Sequence, residues 1–287
     1  MNHISTIRQL PERIDEYDFD IDTIPMAGTY DDDCATKLVK CHDRMMIVKK
    51  DTMEYRGNHS TAYRPVTNKQ IIEPIWDMIR LRSQDIVPNI QILQGGQMMK
   101  ATFTCRDVQI QDPQLHGYIA FRITVRNSYN GVWSVMITAD GFRLWCENGC
   151  TSADKIANYM QKHNGKFYYN FGHIEHLIDE FRSNEQRYRE WYNTSITEQD
   201  VESMFNKLTY TPRATVDGKY RNQRQYDNLM SLWNEYRATI GKNKWGLYNT
   251  VTDWISHPQE VKDKHKTTVE RNSKLLSYMN RPESMFQ

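Results

Sequence analysis

The stretch from Gly117 to Ala139, GYIAFRITVRNSYNGVWSVMITA, decides how this chain folds. Up to Asn127 it alternates: Ile119, Phe121, Ile123 and Val125 fall on one side, Tyr118, Ala120, Arg122, Thr124 and Arg126 on the other. A period of two is the pattern of a strand with one buried face. A second strand runs from Val132 to about Ala139, with Tyr129-Asn130-Gly131 between. A two-residue Asn130-Gly131 turn would pair Val125 with Met136 and Arg126 with Val135, mixing apolar and basic residues on one face. A three-residue loop with Gly131 left-handed pairs Val125 with Val135, Ile123 with Ile137 and Phe121 with Ala139. That register separates the faces. One is apolar, and the other carries Arg122, Thr124, Arg126, Ser134, Met136 and Thr138.

Outward from this hairpin, Gln97 to Asp107 alternates in the same way. Met99, Ala101, Phe103 and Cys105 oppose Lys100, Thr102, Thr104 and Arg106, so a third strand adds two cations to the polar face. Downstream, Asn148-Gly149 makes a turn, and a helix capped by Thr151 or Ser152 is expected to carry Ile156, Tyr159, Met160 and His163. The core therefore reads β-β-β-α. Earlier in the chain, Met45 to Val48 is a short buried strand and Tyr55 to Asn68 is turn-rich, ending on Asn68 as an N-cap. A helix over Lys69 to Leu81 follows, with Ile71, Ile72, Ile75, Trp76 and Ile79 on one stripe and Pro74 near its first turn.

From Ile174 the pattern is helical. Ile174, Leu177, Ile178 and Phe181 form one stripe, and Thr197 to Asp200 is a capping box ahead of Val201, Met204, Phe205 and Leu208. A long helix carries Tyr226, Leu229, Met230, Trp233 and Tyr236, and another spans about Lys244 to Ser256, closed by His257-Pro258. The fold class is α+β: an antiparallel sheet packed on helices, with a helical C-terminal region. The expected organisation is an acidic N-terminal arm at 1–33, an α+β core at 34–165 and a helical region at 166–287.

A mean hydropathy of −0.77 is low for a compact enzyme, yet 7 Trp, 17 Tyr and 9 Phe argue against disorder. No run approaches the roughly 18 apolar residues of a membrane span, and the first residues lack the apolar segment of a secretory signal. Five cysteines form an odd, sparse set, which fits reduced thiols in a cytoplasm. The net charge of +1 hides an asymmetry. Residues 11–33 hold nine acids against Arg13, a net of −8, so the remainder sums to +9. Such a split suggests an acidic arm beside a basic body: a solvated segment, a cover for a basic groove, or a partner-binding patch.

Catalytic signatures are missing. Gly241-Lys242-Asn243-Lys244 lacks the rest of a phosphate loop, Gly95-Gly96 lacks the third glycine of a dinucleotide fingerprint, and Asp140-Gly141 reads as a turn. Cys146, Cys150, His173 and His176 supply four nitrogen and sulfur ligands, but the cysteines are four apart and the Asn148-Gly149 turn explains them without zinc. No enzyme activity, metal or cofactor is expected. Nucleic-acid binding has the better signal. Lys100, Arg106, Arg122 and Arg126, interleaved with hydroxyls, suit phosphate contacts, with Tyr118 as a stacking ring. Lys166, Tyr168 and Tyr169 repeat the pairing of cation and ring, as do Arg221 and Arg224 beside Tyr220 and Tyr226.

Several stretches resemble the phage- and plasmid-encoded family known as domain of unknown function 932. They are Asp51 to Asn68 (DTMEYRGNHSTAYRPVTN), Gln94 to Gln97, Ser128 to Ser134 with Arg143 to Gly149, and Trp245 to Trp254. Glu147 between Cys146 and Asn148, and Trp145 in place of a small apolar residue, depart from the family's pattern. The resemblance implies phage or plasmid DNA metabolism in a host cytoplasm. The β-β-β-α core with a basic face is also similar, in topology and charge, to Rad52-like phage single-strand annealing proteins. The expectation is a single-stranded-DNA-binding protein of phage recombination or annealing, replication or transcription. The alternative is an interaction module that modulates a phage or host polymerase or defence protein through the acidic arm. Self-association as a homo-oligomer stays open.

Overall fold

The computed structural model describes residues 17, 19–32, 35–114, 117–143, 149–150, 158–168, 173–213, 218, 220–258, 261, 264–279, 281 and 284–286. Two compact units are built from interleaved segments: residues 1–108, 122–139 and 157–177 form one, and 109–121, 140–156 and 178–287 the other.

In the first unit, β1 (Ile21–Asp32), β2 (Ala35–Lys49) and β3 (Tyr55–Ser60) make an antiparallel sheet in that order. The second half of the acidic segment is thus a strand, and part of the turn-rich stretch at Tyr55 is another. Helix α1 (Asn68–Ile79) follows. Its N-cap is Thr67 rather than Asn68: the Thr67 hydroxyl accepts from the Gln70 N–H, and Gln70 reaches back to the Thr67 N–H. Asn68 is buried. Pro74 lies in the second turn.

The larger sheet contains β4 (Ile86–Leu93), β5 (Met98–Gln111), β6 (Tyr118–Ser128), β7 (Val135–Arg143) and β8 (Gly149–Cys150) in chain order, with β9 (Asn158–Gln161) also on β7. In the first unit, β4 sets Ile86, Pro88, Ile90 and Ile92 opposite Cys105, Phe103, Ala101 and Met99. Those four β5 side chains are almost wholly buried, whereas Lys100, Thr102, Thr104 and Arg106 remain half-exposed. Trp76 of α1 packs on Phe103, with ring centroids 5.9 Å apart. In β6, Ile123 and Val125 are fully buried and alternate with Arg122 and Arg126. The expected alternation holds on β5, whereas on β6 Ala120 and Thr124, expected on the outer side, are buried.

Two further expectations need correction. The helix expected after Cys150 is a strand where the chain is described: Tyr159 lies opposite Ile137 and Gln161 opposite Val135, with Met160 exposed between them. The β6–β7 connection spans residues 129–134 rather than three residues. The Ser128 hydroxyl donates to the Trp133 carbonyl (2.9 Å) and accepts from the Trp133 N–H (2.8 Å). A side chain thereby replaces a rung of the ladder, and the strands part early. Gly131 is left-handed as expected, at φ +77°.

The second unit holds most of α2 (His173–Asn193), then α3 (Glu198–Leu208), α4 (Gln223–Thr239), α5 (Lys244–Ser256) and α6 (Lys264–Met279). Thr197 caps α3 with Asp200 as its box partner, and Asn243 caps α5. Helix α5 is enclosed from Trp245 to Thr252. Tyr188 lies 4.6 Å from the Trp245 ring and Tyr248 stacks on it at 5.6 Å. Polar side chains of α5 bond within the helix: Asn249 donates to the Trp245 carbonyl and Thr250 to that of Gly246. A core of aromatic rings reconciles low mean hydropathy with burial. No described helix is long and apolar enough to cross a membrane.

Candidate functional site

Lys100 and Arg106 on β5 and Arg122 and Arg126 on β6 lie on the polar side of the sheet in the first unit, all half-exposed. Gln91 of β4 is opposite Lys100, and Asn89 opposite Thr102, which extends the polar face by one strand. The face is not uniformly open, because Thr124 between the two arginines is buried. Arg126 also lies over the Trp133 ring, 5.9 Å from its centroid. Beside β9, the side chains of Lys166 and Tyr168 are exposed while their main chains are tied down: Gln161 accepts from the Tyr168 N–H and donates to the Lys166 carbonyl. Tyr169 lies outside the described residues.

The remaining nominated residues belong to the second unit. Tyr118 is exposed on β6, and Arg224 is exposed on α4. Arg221 is a different case. Its side chain donates to Asn206 (2.8 Å) and Gln223 (3.0 Å), lies 3.5 Å from the Tyr226 ring centroid, and is buried. It clamps the loop ahead of α4. Of the four ligand candidates, Cys146 lies outside the described residues, as do the side chains of Cys150 and His173, while His176 is exposed. Among the described residues no group of three or more His, Cys, Asp or Glu side chains could hold a metal ion.

Sequence reasoning used the family stretches only as markers, and in the first unit three of them meet. His59 of β3 lies with Nε2 2.8 Å from the Tyr129 carbonyl, so Nε2 carries the proton. The His59 ring stacks on Tyr63 at 3.8 Å, and Tyr63 on His163 at 5.1 Å. His163 accepts from the Val66 N–H through Nδ1 (3.0 Å), while its buried Nε2, beside the Trp133 main chain, makes no well-formed hydrogen bond. Burial and the neighbouring His59 hold the His163 imidazole down to about 4, so it is neutral at pH 7. Burial likewise pushes the Tyr63 phenol up. Asn127 donates to the Val66 carbonyl (3.1 Å) and to Asn68 (2.8 Å), and the Asn68 N–H donates to the Tyr129 hydroxyl (3.1 Å). Asn130 donates to Gln94 and Gln97, and the Tyr129 N–H donates to the Gln97 carbonyl.

Two glycines make this approach possible. A Cβ on Gly57 would lie 1.9 Å from the Tyr129 carbonyl oxygen, and one on Gly96, at φ +87°, 2.6 Å from the Arg56 Nε. Phe19, Lys49, Glu54, Tyr55, Arg56 and the Gln94–Gln97 turn line a cleft of about 540 Å³. Its cations already hold partners: Arg56 pairs with Glu54 at 2.6 Å and covers the Phe19 ring, and Lys49 pairs with Asp51 at 3.0 Å. Arg56 holds the Glu54 carboxyl below its ordinary value. With Arg56 and Lys49 held in ion pairs and Gly57 and Gly96 at backbone distance from their neighbours, this junction positions backbone. The signal for it was the run of Gly, Asn, His and Tyr in the quoted stretches, which neither propensity nor charge explains.

No curated protein and no solved structure matches the chain. The family model described as Domain of unknown function (DUF932) matches residues 57–276, which include the Gly57, His59, Gly96 and Tyr129 junction, and the chain belongs to that family.

Proposed function

We propose that the chain binds single-stranded DNA along the polar face of β5 and β6, without catalysing a reaction on it. The observation that supports this reading is the set Lys100, Arg106, Arg122 and Arg126: four half-exposed cations on adjacent strands, separated by Thr102 and Thr104 on β5. Along their strands Arg122 and Arg126 are about 14 Å apart and Lys100 and Arg106 about 20 Å, a row of cations that the backbone of an extended single strand can follow. Lys166 and exposed Tyr168 in the same unit supply a phosphate contact and a ring for base stacking. Annealing, replication and transcription of phage DNA are the processes such binding would serve.

The test is fluorescence anisotropy of a labelled oligonucleotide of about 20 nucleotides, titrated at several salt concentrations. Binding should weaken with salt, and Arg106→Ala or Arg122→Ala should each reduce the log–log slope by about 0.7, the value of one single-strand phosphate contact. No binding at micromolar protein, or binding indifferent to salt, would overturn the reading.

A further inference from the structure

Strands β1 and β2 run past the rest of their sheet. Strand β3 pairs with β2 only over Arg44–Val48, so Thr36–Cys41 has β1 on one side and an open edge on the other among the described residues. From Ala27 to Asp31 and from Ala35 to Lys40 both faces of this two-stranded ribbon are exposed, including Tyr30, Leu38 and Val39 at 51%, 63% and 54%. A ribbon of two strands exposed on both faces is marginal in water, and an open edge is a template for another strand. The pairing places Asp31 with Thr36, Thr29 with Leu38 and Ala27 with Lys40, so these six residues share one face. Along that face the order from tip to base is acid, apolar, base. Asp31 and Lys40 sit one two-residue step either side of Leu38.

This order is self-complementary under a two-fold axis. We infer that a second copy of this chain docks on the free edge of β2, antiparallel and centred on Leu38, giving a four-stranded ribbon. Leu38 then meets Leu38 of the other copy, and Thr36 lies opposite Lys40. Asp31, which accepts from the Thr36 hydroxyl at 2.6 Å, lies in the same row as that lysine. The contact forms twice, as an isologous interface requires. A parallel arrangement would set acid on acid and base on base. Nucleic acid is the poorer occupant, because residues 26–41 carry three acids and two bases, a net of −1.

Sedimentation velocity of the full chain from about 1 to 100 μM tests this; that range brackets the dissociation constants expected of a modest interface. A dimer should form, and Leu38→Asp should abolish it. Lys40→Asp or Asp31→Lys should each weaken it about tenfold or more, and the double variant Asp31→Lys/Lys40→Asp should recover most of the loss. Circular dichroism should be unchanged in all four, because the positions are exposed. Arg122→Ala should leave the dimer intact, which separates this interface from the DNA face. A monomer at every concentration, a dimer indifferent to Leu38→Asp, or a double variant no better than the singles would overturn the inference. So would loss of oligonucleotide binding in Leu38→Asp with the mass unchanged.

Discussion

His59 and Tyr129 are seventy residues apart in the chain, and the imidazole Nε2 of one lies 2.8 Å from the carbonyl oxygen of the other. The contact requires Gly57, two residues before His59, to have no side chain, because the same carbonyl fills the place of its Cβ. Strand β3 and the β6–β7 turn are therefore held at backbone distance.

Gly57→Ala should destabilise the chain by about 4 kcal/mol or more, the range of substitutions that force backbone apart. Gly28→Ala is the control, since a Cβ there meets nothing within 4 Å. Urea denaturation should show a large drop in midpoint for the first and almost none for the second. Equal midpoints would remove the junction from the stability argument.

Tyr129→Phe keeps the ring and removes the hydroxyl that accepts from the Asn68 N–H. A buried N–H left without its acceptor costs about 1–3 kcal/mol. The same loss should not appear in Tyr168→Phe, where the side chain is exposed.

His163 makes stability pH-dependent with a defined sign. Its folded-state value is held down to about 4, whereas the unfolded chain takes up the proton near 6.5. The contribution is present above pH 6.5 and is lost as pH falls toward 4, where the unfolded state alone binds the proton. The loss amounts to at most about 3 kcal/mol, because the ring is not fully enclosed. His163→Asn retains an acceptor for the Val66 N–H and should flatten this slope. Parallel wild-type and variant curves from pH 7 to 4.5 would exclude the effect.

Arg221 and Arg224 should behave oppositely although they are three residues apart. Arg221→Ala removes the bonds to Asn206 and Gln223 and the contact with Tyr226, at a cost of about 2–3 kcal/mol. Arg224→Ala, on an exposed position, should stay within about 0.5 kcal/mol. Thermal denaturation of the two variants measures the difference.

The strand faces were legible because apolar residues recur at every second position from Met99 to Cys105 and from Ile119 to Val125. Small Ala120 and Thr124 were not legible as buried, since size and polarity leave them free to lie on either side. Helix α3 was legible at its start, where Thr197 opens a capping box, and α5 at its end, where the His257-Pro258 pair punctuates the chain. Strand β1 was not, since Asp, Gly and Pro lower its local β propensity and only the pairing with β2 makes it a strand. Strand β9 was missed for a similar reason: the edge of β7 fixes its conformation. At the site, Arg221 beside Tyr220 has the composition of a nucleic-acid contact, and Asn206, fifteen residues upstream, turns it inward. The His59, Tyr63 and His163 stack joins residues about a hundred positions apart, a distance that no spacing rule reaches.

Tyr129 has one further consequence, for the order in which the chain is made. Its N–H, carbonyl and hydroxyl bind Gln97, His59 and Asn68, all synthesised earlier. Until Tyr129 has left the ribosome, strand β3, helix α1 and the turn after β4 lack their common anchor. The first hundred residues are therefore not an autonomous folding unit, and a nascent chain arrested before Tyr129 should remain open to proteolysis at Gly57 and Gly96.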